Sequence, residues 1–207
     1  MLGRNGFSCR SLFSKATLVS LWHDRRAAAA LEFAFVVPIL IGLYFMTMET
    51  SQAIEANKKT GRIASMVADL ITQQQQITES EIDAIMKIGG SVIQPYNRTS
   101  PSIYVTGIEI TDEDTPKVKV AWSRKMVNGA TSDYLTAGTT TSVPEDLKVR
   151  GTFLIRGEAK LDYKPVLTWN AEKKTTIGLA AAFDKISMGE KYYLRPRMSQ
   201  QVKCIDC

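Results

Sequence analysis

Between Arg26 and Glu49 the chain carries one charge, the carboxylate of Glu32. A charged side chain at the centre of a membrane helix costs about 2.5–3.5 kcal/mol on insertion scales, so an acid in such a run points to function. Close to the basic end of the run the cost falls, but a cationic partner is still wanted. The chemistry open to Glu32 is therefore ion pairing. The bland alternative is a glutamate hydrated by headgroup water, and Glu49 at the other end of the run reads that way.

Other residues that could do chemistry are sparse. His23 is the single histidine and lies beside Asp24, before the apolar run. Three-ligand zinc sites and Ser-His-Asp constellations thus have no histidine in the body of the chain. No G-x-x-x-x-G-K-[ST] loop and no G-x-G-x-x-G is present to cradle a nucleotide. Glu109, Asp112, Glu113 and Asp114 cluster in a turn, where solvated charge is the commoner role and no EF-hand spacing exists. Trp122, Trp169, Tyr163, Tyr192 and Tyr193 could line a carbohydrate surface, but aromatics at strand spacing more often build a core. No catalytic residue, metal ligand set, cofactor or small-molecule substrate is expected.

Three cysteines remain. Cys204 and Cys207 form a Cys-x-x-Cys outside any βαβ context, and a tail-locking disulfide is favoured over redox catalysis. Such a bond persists in an oxidising compartment, whereas Cys9 in the leader is expected to be reduced.

The charge distribution agrees with that split. The formal charge is +5, and residues 1–26 hold Arg4, Arg10, Lys15, Arg25 and Arg26 against Asp24, a net +4. The body is nearly neutral, without the basic stripe that nucleic-acid binding wants. Positive charge before the apolar run places the N-terminus in the cytoplasm and the region beyond residue 50 across the membrane. About 20 apolar residues span a bilayer as a helix, and Ala27–Met48 meets that length. A secretory signal cut near Ser51-Gln52-Ala53 would be far too long.

The elements that position these groups follow from periodicity. From Glu49 to Gln76 there is no proline and one glycine, Gly61. Apolar residues there recur mostly at steps of three and four. One helix over 28–72 is predicted, on the order of 65 Å long at about 1.5 Å per residue. Pro38 bends its membrane part. Gln73–Gln76 end this helix or connect it, and Thr78 to Glu81 form a capping box for a second helix, closed by Gly89-Gly90 and Pro95.

Beyond Asn97 the period changes to two. Strands are expected over 103–110 and 118–122 around a turn at 112–116, and over 151–163 with Gly157 as a gap. Residues 128–145 read as a surface loop, 177–183 as a short strand or helical turn, and 191–202 as closing the sheet. Asn97-Arg98-Thr99 matches a glycosylation acceptor but carries no weight. The fold class is α+β and membrane-anchored: a long transmembrane helix continuing into a helix pair packed on a small antiparallel sheet. The expected divisions are a basic leader over 1–27, a transmembrane segment over 28–48, a helical hairpin over 49–96, and a β-rich domain over 97–207.

The segment Arg25-Arg26-Ala27-Ala28-Ala29-Ala30-Leu31-Glu32-Phe33-Ala34 resembles the class III signal region of type IV pilin-like proteins. More narrowly, it resembles the start of the TadE/TadG-like family of the tight-adherence (Flp) pilus system. Tyr192 to Arg197, with Cys204 and Cys207, also looks like that group's tails. There is no room for a large von Willebrand-type domain, so the TadE-type pseudopilin is the better likeness.

That resemblance implies a pilin-like fold and a cut by a prepilin peptidase between Ala27 and Ala28, leaving Glu32 at mature position five. The family's usual residue before the cut is glycine; here it is Ala27. It also implies an assembly helix through Glu32, Phe33 and Pro38, with other Tad pilins, pilus assembly proteins and membrane lipid as partners. The location implied is a bacterial inner membrane, single-pass, with the outer domain periplasmic or carried into a pilus. The leading expectation is a non-enzymatic pseudopilin or assembly component. An uncleaved bitopic assembly factor and a membrane-tethered cell-wall enzyme are the alternatives.

Overall fold

A computed structural model describes residues 25–96, 98–165 and 186–207. Cys9, His23, the acceptor at Asn97, Trp169 and the element expected over 177–183 lie outside the described residues. The chain divides into two compact units, residues 1–48 and 49–207. Helix α1, Arg25–Thr72, contributes to both and contains Pro38.

The first unit is the apolar part of α1. Its large side chains are open: Leu31, Phe35, Ile39, Leu43 and Tyr44 are each more than half exposed. Thr47 returns its hydroxyl to the carbonyl of Leu43 at 2.8 Å, satisfying its polar group within the helix.

The second unit is α+β. After α1 come β1 (Gln76–Ile77), α2 (Glu79–Ser91), β2 (Ser102–Ile110), β3 (Val118–Val127) and β4 (Ala130–Asp133). A 3-10 turn at Glu145–Leu147, β5 (Phe153–Tyr163), β6 (Ile186–Leu194) and β7 (Lys203–Cys204) follow. A five-stranded sheet runs in the order β4-β3-β2-β5-β6, antiparallel throughout, and β1 pairs with β7 in parallel. The capping box of α2 forms as its sequence requires. Thr78 accepts from the Glu81 backbone, and the Glu81 carboxylate accepts from the Thr78 backbone at 2.8 Å.

The core lies where the outer half of α1 meets the sheet. Ile63, Ala64, Val67, Ala68 and Ile71 from the helix pack with Ile103, Val105, Ile155, Ala159, Leu161 and Tyr163, all without solvent exposure. Gly157 makes the close approach possible, because a Cβ there would collide with the backbone oxygen of Ala64. Gly89 of α2 lies as close to α1: a Cβ on it would stand 2.5 Å from a methyl of Val67.

One irregularity decides which side chains reach the helices. β2 and β3 pair Gly107 with Trp122 and Ile108 with Val120, so Ala121 has no partner in register. A bulge of this kind switches the alternation of the strand that carries it. Trp122, Arg124 and Met126 therefore share the face of Ile103 and Val105, while Val118 and Val120 fall on the other face. An unbroken period of two over the strand expected at 118–122 would have put Val118, Val120 and Trp122 on one face, and the bulge separates Trp122 from the two valines.

Residues 128–145 also depart from the loop expectation. Asn128 and Gly129, at φ 52° and 80°, make a two-residue turn of the primed kind that returns the chain as β4. The rest of the segment covers the second face of the sheet. Val143 and Leu147 pack on Ile108, Ile110, Val118 and Leu154, a second small core. At the C-terminal side, β6 starts at Ile186, ahead of the expected 191, and residues 195–202 continue as an irregular strap, not as sheet.

Candidate functional site

Every processing and assembly residue read from the sequence falls on α1. Ala27 and Ala28 are helical in backbone, and Pro38 sits inside the same helix. Glu32 and Phe33 are exposed, Phe33 by 70%. Among the described residues Glu32 has no ion-pair or hydrogen-bond partner within the chain. The run containing it is long and apolar enough to cross a membrane by length and composition, and none of it is buried. An apolar helix surface of this size needs lipid or another protein surface to cover it.

At the far end of α1 the strap ties together the ends of several elements. The Arg197 backbone N–H donates to the carbonyl of Thr72 at 2.9 Å, and its guanidinium lies 2.5 Å from a carboxylate oxygen of Asp69. The first contact satisfies a helix-end carbonyl that lacks an intrahelical donor, and the second sets a cation at the negative end of the helix. Val202 is buried, and its carbonyl accepts from Trp122 Nε1 at 2.8 Å. Lys203 and Cys204 then pair with Gln76 and Ile77, and the Ile205 N–H donates to the carbonyl of Ile77 at 3.0 Å. Finally the Asp206 carboxylate accepts the Glu79 N–H at 2.8 Å, at the positive end of α2. Cys204 and Cys207 are joined as a disulfide, their Cα atoms 5.6 Å apart.

Residues 27–69 match the TadE-like protein family. No curated protein and no solved structure matches the chain. The TadE-like segment takes in Ala27, Ala28, Glu32, Phe33, Pro38 and most of the outer half of α1. The sheet and the strap lie beyond it.

Two charge clusters built around the buried Arg124 and Arg156 stand outside the TadE-like segment, and neither was expected from the sequence. Arg124, brought to the helix side by the bulge, meets Glu79 Oε2 at 2.9 Å, Asp83 Oδ2 at 3.1 Å and Asp133 Oδ1 at 2.7 Å. Thr131 adds a 2.7 Å hydrogen bond to Asp83. Burial pulls the Arg124 pKa down, but the hydrogen bonds and charges of Asp83, Asp133 and Glu79 outweigh it and hold it above its ordinary value. The cluster locks α2 to β3 and β4 as one saturated ion network.

On the opposite face, Arg156 Nε lies 2.9 Å from Glu158 Oε1, with Lys191 Nζ 3.5 Å from the other oxygen. Thr141 accepts from Arg156 at 3.0 Å, which pins the covering loop to the sheet.

The remaining candidates resolve into structural roles. Trp122 and Tyr163 are buried, while Tyr192 and Tyr193 point to opposite faces of β6, so these four make no common surface. Asp112, Glu113 and Asp114 are exposed in the β2–β3 turn near Arg150 and Lys117. Cys204, Asp206 and Cys207 have ligand atoms within 4.8 Å of one another, but with both sulfurs in the S–S bond the group offers one carboxylate. The Arg124 network has one sequence signal, the Asn128-Gly129 turn that brings Thr131 and Asp133 back beside Arg124.

Proposed function

We propose that this chain is a non-enzymatic pseudopilin or assembly component of a Tad (Flp) type IV pilus, held in the inner membrane by α1. The carrying observation is the TadE-like match over residues 27–69, which takes in the uncovered apolar run before Glu49 and its one acid, Glu32. The leader stays in the cytoplasm, and the unit from Glu49 onward stands in the periplasm and recruits pilins and assembly proteins. A prepilin peptidase cuts between Ala27 and Ala28. The new α-amine, with an ordinary pKa of about 7.7–8.0, is mostly protonated at neutral pH. The Glu32 carboxylate of a neighbouring subunit pairs with it, each charge offsetting the other's desolvation and setting the axial register. The helical region 49–96 and the sheet act as one docking body, joined through Gly157 and Gly89.

N-terminal sequencing of membrane-extracted protein tests the reading: a mature start at Ala28 supports it, and an intact leader overturns the cleavage step. A second reading is favoured by Ala27, which occupies the place of the family's usual glycine. In that reading the chain is an uncleaved bitopic factor, found in membranes and absent from sheared pilus fractions.

A further inference from the structure

We propose that the Cys204–Cys207 disulfide is a reversible clasp on the first turn of α2: closed, it holds the Asp206 carboxylate on the Glu79 N–H. Opened by a dithiol, it frees residues 203–207 and presents that turn bare. The four-residue ring is what keeps Asp206 in place, because the bond joins the residue two before it to the residue after it. Little else holds this end of the chain. Two residue pairs link β7 to β1, and one further hydrogen bond joins Ile205 to Ile77. Val202, by contrast, is buried and bonded to Trp122, so the strap stays anchored up to that residue. The hinge of the clasp is therefore the Val202–Lys203 junction.

What opening changes is the shallow cleft lined by Glu79, Ser80, Asp83, Ala84, Lys87 and Asp206. With Asp206 withdrawn, the cleft loses one carboxylate and regains a free helix N-terminal donor, one of those with no intrahelical partner. The tip thus has two states set by one covalent bond.

The exchange chemistry has a defined direction. Cys207 is exposed and Cys204 partly buried, so an incoming thiolate attacks Cys207 Sγ. The S–S bond breaks, a mixed disulfide forms at Cys207, and Cys204 leaves as a thiolate and takes up a proton. The second thiol of the reagent then displaces Cys207, and the reagent departs as its disulfide. Cys204 Sγ lies 3.6 Å from Asp206 Oδ1. A thiolate forming beside that carboxylate is disfavoured, which makes Cys204 a poor leaving group and favours the closed clasp. Asp206 thus does two things, capping α2 and resisting opening.

The compartment in which the clasp closes rests on the function proposed above, but the clasp itself rests on contacts within residues 49–207. Hydrogen exchange on the purified full chain in detergent reads it directly, for the oxidised protein, the protein treated with dithiothreitol, and Cys204→Ser/Cys207→Ser. Exchange about threefold faster at 77–83 and 203–207 in the last two, with 102–110 and 153–163 unchanged, is expected from losing one charged helix-end contact. Equal protection at 77–83, or loss of protection across the sheet, overturns the clasp. Asp206→Asn keeps an acceptor oxygen and removes the charge, so reduction by dithiothreitol should run about threefold faster. An unchanged reduction rate overturns the role given to the carboxylate. None of these readouts depends on leader cleavage or on pilus incorporation.

Discussion

The hydroxyl of Tyr163 donates a 2.5 Å hydrogen bond to Oε1 of Glu49, joining the last residue of β5 to the first residue of the outer half of α1. Tyr163 is wholly buried and stacks on Tyr96 with ring centroids 5.2 Å apart, while Arg98 lies over the outer ring. Burial, then the hydrogen bond and charge of Glu49, push the Tyr163 pKa from 10.0 up to about 12. Below pH 10 the hydroxyl keeps its proton in both folded and unfolded chains, and its contribution to stability is complete. Above that, the unfolded chain ionises first, so the contribution is lost as pH rises toward 12. Tyr163→Phe should lose about 1–2 kcal/mol at pH 7, the range of a hydrogen bond to a charged acceptor. Its denaturation midpoint should also fall less steeply between pH 10 and 12 than that of the parent chain.

Gly157 tests the helix-to-sheet approach. Its missing Cβ is replaced by a backbone oxygen, which cannot rotate away as a side chain can. Gly157→Ala should destabilise by about 2 kcal/mol or more, an overpacking cost. Gly189→Ala, whose new methyl would meet Lys160 Cγ at an ordinary 3.5 Å, should be close to neutral. Equal losses for the two in chemical denaturation would refute the close-approach account.

Arg124 separates buried from exposed charge. Arg124→Ala leaves Glu79, Asp83 and Asp133 without their cation, and the part-buried Asp83 left unpaired should cost about 1–3 kcal/mol. Asp133 is 82% exposed in its side chain, so Asp133→Ala should cost under about 1 kcal/mol. A thermal scan in which the two variants behave alike would show that the network is not the lock between α2 and the sheet.

Glu32 bears on assembly, not on folding. It is exposed on α1, so Glu32→Ala should leave the melting of the unit from Glu49 onward unchanged. Co-purification with pilin partners should nevertheless drop severalfold. Glu32→Gln separates charge from size, and normal assembly of both variants would rule out the proposed pairing with the Ala28 amine.

The long helix, its apolar run with Glu32, the capping box at Thr78 and, within a residue or two, the strands expected over 103–110 and 151–163 were legible in the chain itself. Each is written in local periodicity or in a capping pattern a few residues long, and neighbours along the chain suffice to specify it. The family resemblance was legible for the same reason, since it resides in a contiguous segment. The tertiary structure alone decided which face Arg124 takes, because a bulge at Ala121 is a matter of pairing with a strand elsewhere. It also decided that residues 134–149 cover the second face of the sheet, and that the strap stitches Thr72, Trp122, Ile77 and Glu79 together. Those contacts join residues up to 127 positions apart, as Glu79 and Asp206 are. No periodicity encodes such a pair; it exists only once the burial of Ile63, Val67 and their partners has set the sheet against the helix.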